Sequence, residues 1–195
     1  MTGIIILAAG SSSRLGTPKQ NLVFQGQTLL QKAIQSALTS LCETVIVVLG
    51  SSADVIRPTI PDQLISIIDN PDWEEGMASS IRYGLTELQK ITPKSADVIL
   101  MLCDQPFVDA TIINQLIQKK SITAKTIIAS AYNEIKGVPA LFNETHFDEL
   151  LQLTGNEGAK KLLEKYADEV ITVPFLLGDI DIDTIGDFER LENDY

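Results

Sequence analysis

The chain has 195 residues, of which 45% are hydrophobic, and a formal net charge of −11 from 15 basic and 26 acidic side chains. This length is typical of one domain, so we expect a single domain over residues 1–195 without a membrane span, because no apolar run approaches the roughly 18 residues that a spanning helix needs. The acidic charge argues against nucleic acids and anionic membranes as partners, and the lack of a basic region near the start argues against a secretory signal and for a cytoplasmic protein.

Short apolar segments alternate along the chain with longer segments of helical spacing. The apolar segments cover residues 3–7, 44–49, 65–68, 97–102, 126–131 and 170–173. They are almost continuously apolar, which is typical of parallel strands buried on both faces. Apolar residues at helical spacing, such as the stripe that ends at Leu41, occur in segments 28–41, 77–89, 109–120, 157–166 and 185–191. The pattern predicts a three-layer α/β/α sandwich, a Rossmann-like fold with a mostly parallel sheet.

The first apolar segment leads into a loop rich in small residues, serines and positive charge. It begins with Leu7-Ala8-Ala9-Gly10, continues through three serines that include Ser12, and reaches Arg14, Gly16 and Lys19. Small residues let backbone N–H groups approach a phosphate, and the serines and the two cations add donors and charge. The loop lacks the spacing of a Walker A or a dinucleotide-binding motif. We interpret it as a phosphate-binding loop; a flexible surface loop is the alternative.

The fourth apolar segment ends in Cys103-Asp104-Gln105-Pro106. A carboxylate that directly follows a buried strand is costly unless a cation faces it, and Mg²⁺ on a triphosphate is the natural cation in a ligand crevice. The alternative is that Asp104 caps a helix, but Asp109 is better placed for that role. We therefore predict Asp104 as a ligand of Mg²⁺.

A second acidic cluster lies near the end of the chain, where Asp179, Asp181 and Asp183 alternate with isoleucines. In an extended segment these carboxylates would share one side and repel each other unless a cation relieved the repulsion. We predict Asp181 and Asp183 as further metal ligands. The sequence leaves open whether Asp183 or Thr184 instead caps the final helix.

Residues 70–84 combine a turn with the start of a helix. The amides of the first helical turn, after Gly76, are suited to face negative charge, and the hydroxyls of Ser79 and Ser80 are candidates to contact a ribose or a base edge. Trp73 is either a wall of the pocket or a packing residue. Without other information, this segment would be an ordinary capped helix.

The first loop, LAAGSSSRLGTPK, resembles the signature of the MobA-like NTP transferases, L-A-[AG]-G-x-S-x-R-[ML]-G-x-x-K. The resemblance implies that the loop binds an NTP, with Arg14 and Lys19 on its phosphates and the backbone of residues 7–9 facing its base. Family members with LAAG tend to use CTP, as in the molybdenum cofactor cytidylyltransferase branch, whereas LAGG is associated with GTP. Ala9 therefore favours CTP.

Other segments resemble the same family. The tetrapeptide CDQP is similar to its metal-binding motif, and the block that begins at Asn70 is similar to N-x-x-W-x-x-G-M-x-x-S, which implies nucleotide contacts for Gly76, Ser79 and Ser80. Residues 137–142 and 155–160 resemble elements that are implied to face the acceptor. The chain departs from the family pattern at Asn156, which replaces an acid, and at Lys160, which replaces an arginine.

The resemblance implies a Mg²⁺-dependent nucleotidyltransferase that moves CMP from CTP to a small phosphorylated acceptor such as molybdopterin, with catalysis by Arg14, Lys19 and Asp104. A molybdoenzyme or its chaperone is then a further partner. The only histidine, His146, is expected in a surface helix away from these loops, which does not favour a histidine-based mechanism. Three alternatives stay open: transfer from GTP or to a sugar or polyol phosphate, a non-catalytic nucleotide- or cofactor-binding regulator or chaperone, and an α/β scaffold without activity.

Overall fold

The computed structural model describes residues 1–61 and 64–195, and its centre is a seven-stranded sheet in the order β5-β4-β1-β6-β8-β7-β9. The strands are β1 (Thr2–Ala8), β2 (Val23–Phe24), β3 (Gln27–Thr28), β4 (Thr44–Leu49), β5 (Ser66–Asp69), β6 (Asp97–Leu102), β7 (Ile127–Tyr132), β8 (Ile135–Asn143) and β9 (Val170–Pro174). Strands β2 and β3 form a separate hairpin. Within the sheet, β8 is antiparallel to β6 and β7, and the other neighbours are parallel.

Helices cover both faces of this sheet. They are α1 (Leu29–Leu38), α2 (Ala53–Ile56), α3 (Met77–Ile91), α4 (Ala110–Ser121), α5 (Phe147–Leu151), α6 (Ala159–Lys165) and α7 (Ile185–Asp194). Side chains of a strand alternate between faces, so Ile4 and Ile6 of β1 pack in the core layer of α1 and α4, whereas Ile5 packs in the layer of α3, α5 and α6. The three-layer sandwich and the mostly parallel sheet are confirmed.

Strand β8 was missing from the sequence prediction. Its sequence, IKGVPALFN, contains Gly137 and Pro139, which interrupt an apolar run and are depleted in strands. The pairing of β7 with β8 shifts register between Ala129 and Ser130, so the strand tolerates these residues at an irregular point of the sheet. The expectation for Leu41 was also wrong: α1 ends at Leu38, and Leu41 is exposed rather than part of the buried stripe.

His146 does not lie in a surface helix. It ends the short 3-10 helix Glu144–His146 and is buried, with its Nε2 atom 2.9 Å from the hydroxyl of Thr126. This position follows β8, whose last residue pairs with Asp97 at the first residue of β6. His146 is therefore at the opposite edge of the sheet from the loop that follows β6, which agrees with the expectation that it takes no part in the chemistry there.

The two cysteines belong to the core, as the sequence indicated. Cys103 is buried and Cys42 packs against the same apolar layer, and both are free thiols. Burial raises the pKa of Cys42 to about 11 and, together with the charge of Asp104, that of Cys103 to about 12, so both thiols stay protonated near neutral pH. In the part of the chain that the structure describes, no helix has the length and apolar character to cross a bilayer.

Candidate active site

A cleft of about 540 Å³ opens at the carboxyl ends of β1 and β6. These strands are paired in parallel, so the loops that follow them lie side by side at one edge of the sheet. The cleft is lined by Leu7, Ala8, Ala9, Gly10, Ser11, Lys19, Gln20, Trp73, Glu74, Gly76, Met77, Ser80, Leu102, Cys103, Asp104, Asn156, Asp181 and Asp183. The first loop, the loop after β6 and the carboxyl-terminal acidic segment thus share one cavity.

Lys19 joins two acidic residues of this cleft. Its Nζ atom donates hydrogen bonds to Asp104 Oδ2 at 2.5 Å and to Asp183 Oδ1 at 2.9 Å, and its side chain is 16% exposed. Burial opposes the charge on the ammonium group, but the attraction of Asp104 and the two hydrogen bonds outweigh it and raise the pKa of Lys19 above its ordinary value. The cleft therefore holds a permanent positive charge between two carboxylates.

Asp104 is buried at the cleft, and its carboxylate is only partly hydrogen-bonded. The residue is 7% exposed, and its Oδ1 atom finds no hydrogen-bond partner in residues 1–61 and 64–195. A buried carboxylate oxygen without a donor is costly, and a metal ion at that oxygen would remove the cost. The backbone carbonyl of Asp104 accepts a hydrogen bond of 3.0 Å from the amide of Ile182, which ties the carboxyl-terminal segment to this loop.

The surrounding charges fit a divalent cation. Burial, with the nearby charges of Asp104 and Asp183, raises the pKa of Asp181, and the charge of Lys19 offsets this shift only in part. The described residues contain no group of three metal-ligating side chains in binding geometry. Mg²⁺ does not need one, since it is usually held by one or two carboxylates together with substrate phosphates and water. Carboxylate oxygens are its preferred ligands, so Asp104 with Asp181 or Asp183 fits that group.

Thr184, and not Asp183, caps the final helix. Thr184 is the N-cap of α7: its Oγ1 accepts from the amide of Asp187 at 3.2 Å, and the Asp187 carboxylate accepts from the amide of Thr184 at 2.8 Å. This capping box leaves the carboxylate of Asp183 free to face Lys19. Residues 180–183 form neither a helix nor a strand, and Asp179, in the turn that precedes them, accepts a hydrogen bond from Asn133.

Arg14 and Ser12 do not line the cleft. Arg14 is exposed on the first loop, and Ser12, at a φ of 50°, directs its Oγ to the backbone amide of Lys19 at 3.0 Å. Lys19 and Asp104 are therefore brought together, whereas contact of Arg14 with a triphosphate stays a prediction. Gln20, which the sequence analysis missed, is buried beneath the loop and donates to backbone carbonyls of Ala8 and Gly10.

The block at residues 70–80 forms the other wall. Gly76 has a φ of 123°, and a Cβ there would collide with the Gly155 carbonyl and the Asn156 side chain, so both its conformation and its packing require glycine. Ser80 lines the cleft, but Ser79 is completely buried and donates to the Gly76 carbonyl at 2.8 Å. The structure thus does not bring the hydroxyl of Ser79 to the cavity.

Asn70 organises this wall, although the sequence analysis gave it no role. Its Nδ2 donates to Ser79 and Ser80 at 2.8 and 3.0 Å, and its Oδ1 accepts from the amide of Asp72. A motif position alone does not distinguish such a buried anchor from a ligand contact. Asn70 is 1% exposed, so its amide holds the turn together.

The loop after residue 152 completes the far end of the cleft. Asn156 lines the cavity, whereas Lys160 is exposed and its Nζ lies 3.8 Å from Glu164 on the surface. The structure thus places Asn156, but not Lys160, in the lining of the cleft, and contact of either residue with an acceptor stays a prediction. Behind the loop, Arg82 donates to both carboxylate oxygens of Glu75 and, at 2.7 Å, to the carbonyl of Leu153.

Two known proteins of similar sequence carry different enzyme names. The molybdenum cofactor cytidylyltransferase of Escherichia coli K12 is 28% identical over 195 residues, which cover 98% of this chain and 95% of the relative. The nicotine blue oxidoreductase of Paenarthrobacter nicotinovorans is 32% identical over 118 residues, which cover 60% of this chain and 55% of that protein.

Solved structures share the whole fold. Rv0371c from Mycobacterium tuberculosis H37Rv has a TM-score of 0.85 at 29% identity, with 98% of this chain and 97% of that chain covered. Its manganese complex has a TM-score of 0.82 at 27% identity, with 100% and 98% covered. Residues 4–170 match the MobA-like NTP transferase domain. The chain therefore belongs to the MobA-like NTP transferase family and is a nucleotidyltransferase by family.

Proposed function

We propose that this protein transfers CMP from CTP to a small phosphorylated acceptor resembling molybdopterin, with Mg²⁺ as cofactor and pyrophosphate as the second product, in the cytoplasm. The observation that carries the proposal is the meeting of Lys19 with Asp104 and Asp183 in a cleft bordered by the first loop. A metal-bound triphosphate needs positive charge for its oxygens and carboxylates for its metal, and this cleft offers both.

The choice of CTP and of the acceptor rests on a relative and on the first loop. The relative that aligns over nearly the whole chain is named a molybdenum cofactor cytidylyltransferase, and Ala9 matches the LAAG form of the first loop, which resembles that branch. Ala9 and Asn156 both line the cleft, on the first loop and on the loop after residue 152, and we assign the base to the first of these loops and the acceptor to the second. A molybdoenzyme or its chaperone would receive the product.

The mechanism assigns each step to residues of this chain. Asp104, with Asp181 or Asp183, would hold Mg²⁺, which when bound neutralises negative charge around the reacting phosphates. Lys19 stabilises the negative charge of the triphosphate after it gives up its carboxylate partners, and Arg14 closes from the first loop onto the leaving pyrophosphate. An acceptor phosphate oxygen attacks the α-phosphorus in line; one P–O bond forms while the bond to pyrophosphate breaks.

No general base is required for this reaction. The attacking phosphate oxygen is already ionised near neutral pH, so no side chain has to remove a proton from it. This agrees with the position of His146 at the opposite edge of the sheet, and with the high pKa of the buried Cys103 thiol beside the cleft.

Pyrophosphate release tests the proposal. The wild-type protein is incubated with CTP or GTP at equal concentration, each with molybdopterin, a sugar phosphate or a polyol phosphate, in the presence of Mg²⁺. Release that requires CTP and molybdopterin supports the proposal. Release only with GTP or only with the other phosphates assigns a different reaction to the same cleft, and nucleotide binding without release under any acceptor indicates a binding protein.

Asp104→Asn provides the matched test of the cleft, with Asp97→Asn as its control. Asp97 is the first residue of β6 and lies away from the cavity, whereas Asp104 lies just beyond the end of β6 and lines the cavity. We expect Asp104→Asn to lower turnover by about 10³-fold or more, since it removes a metal ligand, while Asp97→Asn retains it. Near-normal turnover of Asp104→Asn, with the fold confirmed by circular dichroism, would exclude Asp104 from the reaction.

A further inference from the structure

Gln20 is a polar side chain that is almost completely buried under the first loop, at 1% exposure. Its Nε2 atom donates to the carbonyl of Ala8 at 2.7 Å and to the carbonyl of Gly10 at 3.2 Å. Its Oε1 atom accepts from the hydroxyl of Ser12 at 3.4 Å. The two N–H donors and the oxygen acceptor of the Gln20 side chain therefore all form hydrogen bonds with the loop that borders the cleft.

These bonds orient the loop backbone. In a planar trans peptide unit the C=O and the next N–H point in opposite directions. Because the carbonyls of Ala8 and Gly10 point to Gln20, the N–H groups of Ala9 and Ser11 point away from it. Ala9 and Ser11 line the cleft, so the amide of Gln20 turns two carbonyl oxygens away from an anionic ligand and frees two N–H groups for it.

The same network fixes the end of the loop. The backbone amide of Lys19 donates to Ser12 Oγ at 3.0 Å, and Ser12 Oγ in turn donates to Gln20. This closes a ring of hydrogen bonds between the start of the loop and residues 19–20. Lys19 then reaches Asp104 and Asp183 from a fixed backbone position.

We infer that Gln20 is a positioning residue: it holds the first loop with its N–H groups open to the cleft and holds Lys19 within reach of Asp104. The identity of the anion as a triphosphate rests on the proposed function. Only glutamine supplies two donors and one acceptor at this length without charge; glutamate has no donor, lysine has no acceptor, and methionine keeps the shape without either.

Trypsin cleavage of the free protein tests the inference without any nucleotide. Arg14 is exposed on the loop, but the side chain of the next residue, Leu15, is buried, so cleavage between them requires the loop to open. Gln20→Met is expected to raise the rate of this cleavage about tenfold, because the open population grows when buried hydrogen bonds are lost. Mass spectrometry follows fragments 1–14 and 15–195.

The control is Asn143→Leu, which also removes an amide that donates to a backbone carbonyl, that of Ala96 at 2.9 Å, but at the opposite edge of the sheet. It is expected to leave cleavage after Arg14 at the wild-type rate. An unchanged rate in Gln20→Met, or an equal rise in Asn143→Leu, would overturn the inference. If Gln20→Met does not fold, Ser12→Ala breaks the ring from the loop side, and faster cleavage after Arg14 is expected there too; an unchanged rate overturns the inference.

Equilibrium dialysis with CTP and Mg²⁺ separates this inference from the proposed function. If wild type binds CTP, Gln20→Met is expected to bind it about tenfold more weakly and Asn143→Leu equally well; unchanged binding by Gln20→Met contradicts the inference. If wild type binds no nucleotide, the proposed function fails, while the trypsin result still decides whether Gln20 positions the loop.

Discussion

Two groups of ion pairs lie near the cleft, and they differ in whether their side chains line it and in the burial of their central pair. On the side of the first loop, the cleft triad consists of Lys19, Asp104 and Asp183, whose side chains are 16%, 10% and 44% exposed. On the other side, the rear pair consists of Glu75 and Arg82, whose side chains are 37% and 26% exposed and lie behind the loop at residues 153–156. The triad lines the cavity and the rear pair does not.

We expect this difference to separate charges that act on the reaction from charges that hold structure. Lys19 and Asp104 are largely removed from solvent, and one oxygen of Asp104 has no donor among the described residues, so this pair carries a cost that a ligand can remove. The rear pair is fully satisfied: Arg82 also donates to Leu153, and Glu75 accepts from the amide of Gly155 at 3.3 Å. The rear pair therefore holds the loop at residues 153–156, and we expect it to take no part in the reaction.

The largest expected effect comes from the triad. Lys19→Met removes the cationic member of the cleft, and we expect turnover in the pyrophosphate assay to fall by about 10²- to 10³-fold, as when one electrostatic stabiliser of a transition state is lost. Lys90→Met, at a side chain that is 68% exposed outside the cleft, is the control and should retain full turnover. Equal turnover in both variants would show that the triad has no catalytic role.

A smaller and more selective effect is expected from the rear pair. Arg82→Met frees the loop that carries Asn156, so the KM for the acceptor should rise about tenfold while the KM for CTP stays unchanged. Arg57→Met is the matched control, because Arg57 pairs with Asp69 on β5, away from the cleft. Steady-state kinetics with each substrate varied in turn give the two KM values. Equal rises in both values would show that the rear pair does not act selectively on the acceptor.

A third comparison removes two helix caps in turn, one near the triad and one far from the cleft. Thr184→Ala removes the cap of α7, and Asp109→Ala removes that of α4, whose carboxylate accepts from Ile112 at 3.0 Å. Each should lower the free energy of unfolding by about 1 kcal/mol, measured by urea denaturation. Only Thr184→Ala should also reduce turnover, since Thr184 follows Asp183 directly. Full activity of Thr184→Ala would show that α7 does not position the acidic segment.

The sequence predicted the fold and part of the site for physical reasons. The continuous apolar runs located the parallel strands, and β8 was missed because glycine and proline break its run. Loops after neighbouring parallel strands must meet at one edge, which is why the meeting of Lys19 with Asp104 was predictable from the order of the elements.

Buried amides were not predictable in the same way. Gln20 and Asn70 act through several hydrogen bonds to distant backbone or hydroxyl groups, and these depend on tertiary contacts that no local pattern encodes. For the same reason Ser79 resembled a ligand contact, although it is completely buried and bonded to Asn70 and Gly76. A motif shows which residue types recur, whereas burial shows whether each one faces the cavity.

The smallest expected effect concerns a buried titratable group outside the cleft. Burial lowers the pKa of His146 below its ordinary value of 6.5, although Glu149 and Glu169 oppose this shift and Lys165 adds to it. The unfolded chain then binds a proton that the folded chain resists, so this group lowers the free energy of unfolding as the pH falls below about 6.5.

His146→Gln removes this dependence, since glutamine stays neutral and can still reach the hydroxyl of Thr126. Urea unfolding between about pH 5 and pH 8 should show wild type losing stability on the acid side relative to the variant, with turnover equally retained by both at neutral pH. Parallel stability curves would mean that His146 is not held neutral by its burial. Lost turnover at neutral pH would contradict the expectation that His146 takes no part in the reaction.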